Sequence, residues 1–277
     1  MQRIDAHQHF WLLERGDYNW LTPELSTLYR DYLIDDLQPL LDKNRVHKTI
    51  LVQAADSLNE TNFMLDLADK NEVIGGVIGW IDMLGKEASS QLLQLANYPK
   101  FKGIRPMLQD IEDPTWMLND KLTPIFQALI DNNLIFEALV KPIHLPYLNQ
   151  LLVQHPGLKV VIDHGAKPNI SSGQIKDWES WIQNIAENHP VYCKLSGLLT
   201  EAKQPATYAD VYPYMQHLLN TFGHQRLMFG SDWPVLNLAS DYTSWVNYVE
   251  NFLCDLTLEQ QRAVWHDNAN KFYELHL

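Results

Sequence analysis

The 277-residue chain has little cysteine, no long hydrophobic run and few basic residues. Its two cysteines, Cys193 and Cys254, are too few for a disulfide framework, which favours a reducing, cytoplasmic environment. No secretory signal is recognisable at Met1, and the longest apolar run, Val73 to Ile81, is far shorter than the roughly 20 residues of a membrane-spanning helix. Acidic residues outnumber basic ones by 34 to 21, and the net charge of −13 argues against nucleic acid and anionic membranes as partners. These absences leave a small molecule as the expected partner.

The chain also lacks a nucleotide-binding motif and any linker that would divide it. The nearest match to a phosphate-binding loop, Gly79 to Gly85-Lys86, is one residue too long and is followed by Glu87 instead of serine or threonine. No Ser/Gly-rich segment or internal repeat interrupts the sequence. We therefore expect a single domain over residues 1–277.

Short apolar runs alternate with amphipathic stretches along the whole chain. Several runs are apolar almost throughout, as expected of strands buried on both faces of a parallel sheet. The stretches between them repeat apolar residues at the i, i+3, i+4 spacing of a helix with one buried face. Eight such alternations favour an α/β fold, a single (β/α)8 TIM barrel, over an open doubly wound sheet. The predicted strands are Arg3–Ala6, Thr49–Gln53, Val73–Trp80, Lys102–Arg105, Leu134–Val140, Lys159–Asp163, Val191–Leu195 and Leu227–Gly230.

Two histidines mark the end of the first predicted strand, and functional side chains of a parallel barrel gather at such strand ends. The segment reads Ile4-Asp5-Ala6-His7-Gln8-His9, and His7 and His9 point the same way because side chains alternate along a strand. Two neutral imidazoles on one side can converge on zinc or a similar divalent metal. By itself the pair fits a ligand set and two surface histidines equally well.

A histidine and an aspartate follow the sixth and eighth predicted strands. His164 comes directly after the sixth strand and precedes Gly165, which would let a substrate approach the backbone. The alternative is a histidine bonded to a loop carbonyl. Asp232 follows the eighth strand, where it can bind a metal, accept a proton from the attacking water or cap a helix.

Charged and polar residues occur at other strand ends. Glu137 lies in an apolar run, where an unpaired carboxylate is costly, so we expect it to face the barrel mouth and meet a cation or the substrate. Arg105 is the best candidate to bind an oxyanion or carboxylate because its planar guanidinium matches such oxygens. An ion pair with Glu137 would explain an arginine at this position equally well. Gln53, Trp80 and Lys194 fit the substrate cavity and the core equally well.

Taken together, these segments resemble the amidohydrolase superfamily, and within it the sugar-lactonase-like branch of TIM-barrel hydrolases. The superfamily's His-x-His metal motif corresponds to His7 and His9, its mid-barrel histidine to His164 and its strand-eight aspartate to Asp232. The pattern for two metals is not met, since no second mid-barrel histidine and no bridging lysine are evident. The resemblance covers essentially the whole chain, in the segments Ile4–Trp11, Tyr18–Leu21, Gly103–Pro106, Ile162–Pro168, Val191–Leu198, Phe229–Pro234 and Asn268-Ala269.

The resemblance implies an enzyme that hydrolyses a small lactone, foremost an aldonolactone of a sugar such as fucose, rhamnose or galactose. It implies one divalent metal, expected to be zinc, on the strand-one histidines and Asp232, with help from His164 or Glu137. Asp232 would accept the proton of the attacking water and return it to the ring oxygen, while Arg105, with His164, would stabilise the oxyanion. Four tryptophans are expected to stack on an apolar sugar face. They are Trp11, Trp20, Trp80 and Trp233.

Three alternatives remain open from the sequence. A non-oxidative decarboxylase would use the same scaffold but usually needs an additional mid-barrel histidine. A glycosidase would pair Glu137 with Asp232 and need no metal. A non-catalytic sugar-binding barrel would keep the aromatic residues and dispense with His7, His9 and Asp232 as a reactive set. The sequence leaves the oligomeric state open.

Overall fold

Eight parallel strands form one sheet in the computed structural model, which describes residues 1–277. The strands pair in chain order, from the first with the second to the seventh with the eighth. This order confirms the predicted (β/α)8 barrel, because an open doubly wound sheet reverses its strand order at a switch point. The strands are β1 (Arg3–Gln8), β2 (Val46–Val52), β3 (Ile74–Gly79), β4 (Phe101–Ile104), β5 (Ile135–Ala138), β6 (Lys159–Ile162), β7 (Tyr192–Leu195) and β8 (Leu227–Phe229).

All eight predicted strands are present, and their boundaries differ by a few residues. The largest difference is in β2, which begins at Val46 although the prediction starts at Thr49. The pairing of β2 with β1 begins at Val46, and the two residues that follow, His47 and Lys48, are only half-buried. A rule that looks for continuous apolarity therefore misses the polar start of this strand.

The longer helices around the barrel bury one apolar face each. In the helix from Lys176 to Asn188, for example, Trp178, Ile182 and Ile185 are buried at the predicted spacing. No helix is both long and apolar enough to span a bilayer. The helices are α1 (Ile34–Asn44), α2 (Leu58–Lys70), α3 (Ala88–Leu95), α4 (Thr123–Asp131), α5 (Leu145–Gln154), α6 (Lys176–Asn188), α7 (Leu198–Glu201), α8 (Tyr208–Arg226), α9 (Tyr242–Leu253), α10 (Leu258–Arg262) and α11 (Asn268–Phe272).

The C-terminal segment closes the end of the barrel at which the strands begin. Phe272 and Tyr273 pack with the apolar side chains inside the barrel. The carboxylate of Glu274 forms a salt bridge of 2.7 Å with Lys159, the first residue of β6. The backbone carbonyl oxygen of Glu274 lies 3.3 Å from the ammonium of Lys102 in β4. With this end closed, the opposite rim, where the strands end, is the open one.

Hydrogen bonds between the two ends of the sheet close the barrel at that rim. Gln8 and Trp233 form a parallel bridge. The backbone N–H of Asp232 donates to the carbonyl of His7 at 2.8 Å, and that of His9 donates to the carbonyl of Trp233 at 2.8 Å. These bonds join the end of β1 to the loop after β8, so the closing seam itself brings candidate functional residues of both segments side by side.

Candidate active site

His7 in β1 and His9 just after it point into the barrel mouth with their Nε2 atoms only 3.2 Å apart. Both side chains are buried. His9 donates from Nδ1 to the carbonyl oxygen of Val52 at 2.7 Å, which leaves the lone pair of Nε2 free to face the site. The predicted convergence of His7 and His9 is therefore present in the structure.

Asp232 meets these histidines across the closing seam. Its Oδ1 atom lies 3.2 Å from Nε2 of His9, 3.6 Å from Nε2 of His7 and 3.7 Å from Nε2 of His164. The residue has a left-handed backbone, with φ of 60°. This conformation costs free energy for a non-glycine residue. The hydrogen bond from the backbone N–H of Asp232 to β1 helps to hold it. One carboxylate oxygen thus faces three imidazole nitrogens.

A left-handed turn after β6 carries His164 into the same cluster. Four consecutive residues, His164 to Lys167, have φ between 47° and 64°. The indole N–H of Trp178 donates to the carbonyl of Gly165 at 2.6 Å and holds this turn against α6. Nδ1 of His164 lies 2.8 Å from the hydroxyl of Ser196, which orients the ring. Residues three apart lie on one side of so tight a turn, and both His164 and Lys167 line the same cavity.

Arg105 follows β4 and is almost completely buried beside the histidines. Its Nη2 donates to the backbone and side-chain carbonyls of Gln53, while Nη1 lies 3.2 Å from Nε2 of His7 and 3.4 Å from Oδ2 of Asp163. Gln53 in turn donates to the carbonyl of Arg105 at 2.7 Å. The structure thus places Gln53 behind Arg105, where it holds the guanidinium, and not among the residues that line the cavity.

A buried network of charges lies beneath the histidines. The ammonium of Lys194 donates to Oε2 of Glu137 at 2.6 Å and lies 3.1 Å from both Oδ1 of Asp163 and Nδ1 of His7. The other Glu137 oxygen accepts from the hydroxyl of Tyr273 at 2.6 Å. Although burial opposes its ionisation, Lys194 and His7 hold the pKa of Asp163 well below its ordinary value. Lys194 therefore sits in the core, under the ring of His7.

The placement of Glu137 corrects the expectation that it faces the mouth as a metal ligand. Both of its oxygens have partners within the barrel, and the residue is fully buried and does not line the cavity. The pairing of Glu137 with Arg105 considered from the sequence is likewise replaced by a pair with Lys194. A glycosidase arrangement of Glu137 and Asp232 therefore has no support in this geometry.

The cluster forms the floor of a cavity of about 320 Å³ at the open rim. This volume lies in the range of small-molecule binding sites. The residues around the cavity combine charged groups on the floor with mostly apolar side chains on the walls. They are His9, Trp20, Leu25, Leu28, Ala54, Arg105, Met107, Gln109, Asp110, Leu139, His164, Lys167, Asp232, Val235 and Leu238.

Of the four tryptophans predicted to bind substrate, Trp20 alone lines this cavity. Its indole N–H donates to the carbonyl of Ala54 at 2.6 Å, and the side chain is partly exposed. The other three tryptophans do not line the active-site cavity. Trp11 and Trp233 are buried core residues that pack edge-on against other aromatic rings, and Trp80 borders a separate, smaller cavity.

Burial sets the charge state of the cluster. It lowers the pKa of His7 well below its ordinary value, lowers that of His9, and lowers that of His164 to about 4. Burial opposes ionisation of Asp232, but the surrounding imidazoles, His164 foremost, outweigh it and hold the pKa of this carboxyl below its ordinary value. At neutral pH the site therefore presents three neutral imidazoles and one carboxylate.

This set of donor atoms fits a divalent cation. Neutral imidazole nitrogens and a carboxylate oxygen are the usual ligands of zinc in enzymes. Zinc bonds of about 2.0–2.1 Å in a tetrahedron place neighbouring donors about 3.3–3.4 Å apart. The donor atoms of His7, His9 and Asp232 are 3.2 to 3.6 Å from one another. His7, His9 and Asp232 could therefore hold a metal ion, as could His7, Asp163 and His164.

Sequence reasoning missed several residues of the site. Asp163 directly precedes His164 at the end of an apolar strand, and that position was a usable signal for a functional carboxylate. Lys167 is three residues beyond His164 and joins it because of the left-handed turn, which no sequence pattern announced. Ser196 becomes visible as a partner of His164 once β7 lies beside β6.

Comparisons with known proteins agree with this architecture. A family model described as amidohydrolase matches residues 4–275. The chain is 40% identical to an L-fucono-1,5-lactonase of Burkholderia ambifaria and 34% identical to one of Burkholderia multivorans, and each alignment covers 99% of this chain and 96% of the relative. A crystal structure of an amidohydrolase from Burkholderia multivorans with bound zinc is 32% identical, with a TM-score of 0.92 and 99% of both chains covered. The likeness extends through the whole barrel.

Proposed function

Because the chain belongs to the amidohydrolase superfamily, in its sugar-lactonase branch, and is an enzyme that hydrolyses a sugar lactone, we propose that its substrate is L-fucono-1,5-lactone. Two relatives that carry this activity in their names match it over nearly their whole length. The observation that carries the proposal is the convergence of His9, Arg105, His164 and Asp232 on the floor of one cavity. The cavity is of a size for a single small ring.

Asp232 is the proposed proton carrier of the reaction. Its carboxylate is ionised at neutral pH, because His164 and His9 hold its pKa below the ordinary value despite burial. It can therefore accept a proton from the water that attacks the lactone carbonyl. The same carboxyl then returns this proton to the ring oxygen when the ester bond breaks. Asp110 is the other acid that lines the cavity, and it comes from the segment after β4, across the barrel from the seam that holds Asp232.

Arg105 is the proposed stabiliser of the charge that develops on the carbonyl oxygen. Its guanidinium lines the cavity, and hydrogen bonds with Gln53 fix its orientation before substrate arrives. A donor that is already in place where negative charge develops lowers the barrier without reorganisation. His164 lies beside Asp232 and offers a second polar group to the same oxygen.

We propose that His7, His9 and Asp232 hold one divalent ion, zinc, with His164 bordering the site. Bound there, the ion would supply Lewis-acid polarisation of the carbonyl and lower the pKa of a bound water toward about 7. The Nδ1 contact of His9 with Val52 supports this assignment, since it presets the tautomer that a ligand needs.

The test of the function is proton release from L-fucono-1,5-lactone by the purified enzyme, corrected for spontaneous ring opening without enzyme. Asp232→Asn should lower turnover by about 10²-fold or more while the protein still melts cooperatively. The matched control is Asp255→Asn, which changes an exposed carboxylate outside the cavity and should leave turnover intact. Near-normal turnover of Asp232→Asn would remove this residue from the mechanism.

A second measurement addresses the cation without using turnover. Elemental analysis should find about one zinc per chain in the native protein and much less in His9→Ala, because this variant removes one donor. An unchanged metal content in His9→Ala would show that the strand-one pair is not the ligand set.

A further inference from the structure

The walls of the active-site cavity differ in chemistry from one side to the other. Leu25 and Leu28 come from the loop after β1, and Val235 and Leu238 come from the segment after β8. The loops after β1 and β8 adjoin, because the barrel closes between these two strands. The four aliphatic residues therefore form one apolar wall, next to Asp232.

The polar side chains above the floor lie across the cavity from this apolar wall. Gln109 and Asp110 follow β4 and Lys167 follows β6, and β4 to β6 lie opposite the seam of an eight-stranded barrel. Met107 and Leu139 are the apolar residues on that side, so it is mixed. The apolar wall, by contrast, contributes no polar side chain above Asp232 and His9.

The chemistry of a 1,5-lactone matches this division when Asp232 delivers a proton to the ring oxygen. The ring oxygen is bonded to the carbonyl carbon and to C5, and C5 carries the exocyclic C6 group. A ring oxygen beside Asp232 would place C6 against the apolar wall, with the carbonyl directed toward Arg105. In this orientation the hydroxyl groups on C2 to C4 would point toward the side of Gln109, Asp110 and Lys167.

We propose that Leu25, Leu28, Val235 and Leu238 bind the C6 methyl group and make the enzyme select 6-deoxy lactones over those with a C6 hydroxymethyl group. This inference rests on the proposed function, because it concerns the orientation of the same substrate in the same cavity. A hydroxymethyl group at this wall would lose its hydrogen bonds to water and find no polar side chain there. An apolar site of this kind discriminates by about 10- to 100-fold, since it cannot fully reject an added hydroxyl.

The test compares kcat/KM for L-fucono-1,5-lactone and L-galactono-1,5-lactone, which differ only in the hydroxyl on C6. The native enzyme should prefer the first by about 10- to 100-fold. Leu238→Asn and Val235→Thr should each bring this ratio toward one, mainly through slower hydrolysis of the methyl lactone. Leu238 is 41% exposed, so its replacement should not unfold the protein.

Two variants serve as controls. Leu258→Asn makes the same chemical change at a leucine that is 76% exposed and outside the cavity, and it should leave the ratio unchanged. Lys167→Met acts on the opposite side and should slow both lactones by a similar factor. Melting temperatures of all variants identify any general loss of structure.

The outcomes separate this inference from the proposed function. The assignment of the apolar wall is overturned if the native enzyme hydrolyses both lactones with kcat/KM values within about threefold of each other. It is also overturned if Leu238→Asn and Val235→Thr leave the native ratio unchanged. Either result leaves the lactonase activity standing. Failure of the native enzyme to hydrolyse L-fucono-1,5-lactone at all overturns the proposed substrate itself.

Discussion

Replacement of Gly197 by alanine should inactivate the enzyme by displacing a single imidazole. Gly197 follows β7 with φ of +62°, and a Cβ atom at this position would lie 2.5 Å from Nδ1 and 2.6 Å from Cγ of His164. Ordinary contacts of a Cβ atom begin at 3.4 Å, so the ring must retreat by about 0.9 Å (3.4 minus 2.5). Such a shift breaks the contact of His164 with Ser196 and moves Nε2 relative to Asp232.

The expected loss of kcat/KM is about 10²-fold, the effect of a misplacement of about 1 Å at a catalytic group. The left-handed backbone adds a cost of about 1–2 kcal/mol in stability for any residue other than glycine. Gly173→Ala isolates this second effect, because Gly173 has φ of +67° and no atom lies within 4 Å of the place that an alanine Cβ would occupy. Both variants should therefore melt at reduced temperatures, Gly197→Ala at the lower one because it also displaces a buried ring, while Gly197→Ala alone should lose activity.

The assay is proton release from the lactone at 25 °C, with thermal unfolding followed in parallel. Full activity of Gly197→Ala, or an equal loss of activity in Gly173→Ala, would refute the argument that the position of His164 depends on the missing side chain at Gly197.

Three further predictions concern buried groups. Burial raises the pKa of Glu60 to about 8, above its ordinary 4.5, so the folded protein keeps a proton that the unfolded chain releases. The free energy of unfolding should therefore fall by at most about 5 kcal/mol as pH rises from 4.5 to 8, and Glu60→Gln should flatten this slope in urea titrations at several pH values. Lys194→Met leaves the carboxylate of Glu137 without its buried cationic partner and should lower the free energy of unfolding by about 3–5 kcal/mol in the same assay. The double variant with Glu137→Gln should lose less, and an equal loss in the single and double variants would argue against the ion pair. A thiol reagent should modify one cysteine in the native protein and two in denaturant, because Cys254 is exposed whereas Cys193 is fully buried with a raised thiol pKa; two reactive thiols in the native state would contradict this packing.

The sequence by itself determined the barrel and most of the floor of the site. Eight apolar runs separated by helical patterns admit few other folds, because parallel strands buried on both faces need helices between them. The alternation of side chains through the end of β1 placed His7 and His9 on one side, and positions just after strands identified His164, Asp232 and Arg105. These are local rules of strand geometry, which a linear pattern can express.

Tertiary structure alone decided what each buried polar group pairs with. Glu137 looked like a residue of the mouth, but Lys194 and Tyr273, which are distant in sequence, take both of its oxygens. Trp11 and Trp233 looked like a sugar platform, but they are core residues, because an aromatic side chain gives the same sequence pattern in a cavity wall and in a core. Partners and exposure are set by contacts between distant segments, and no local pattern carries that information.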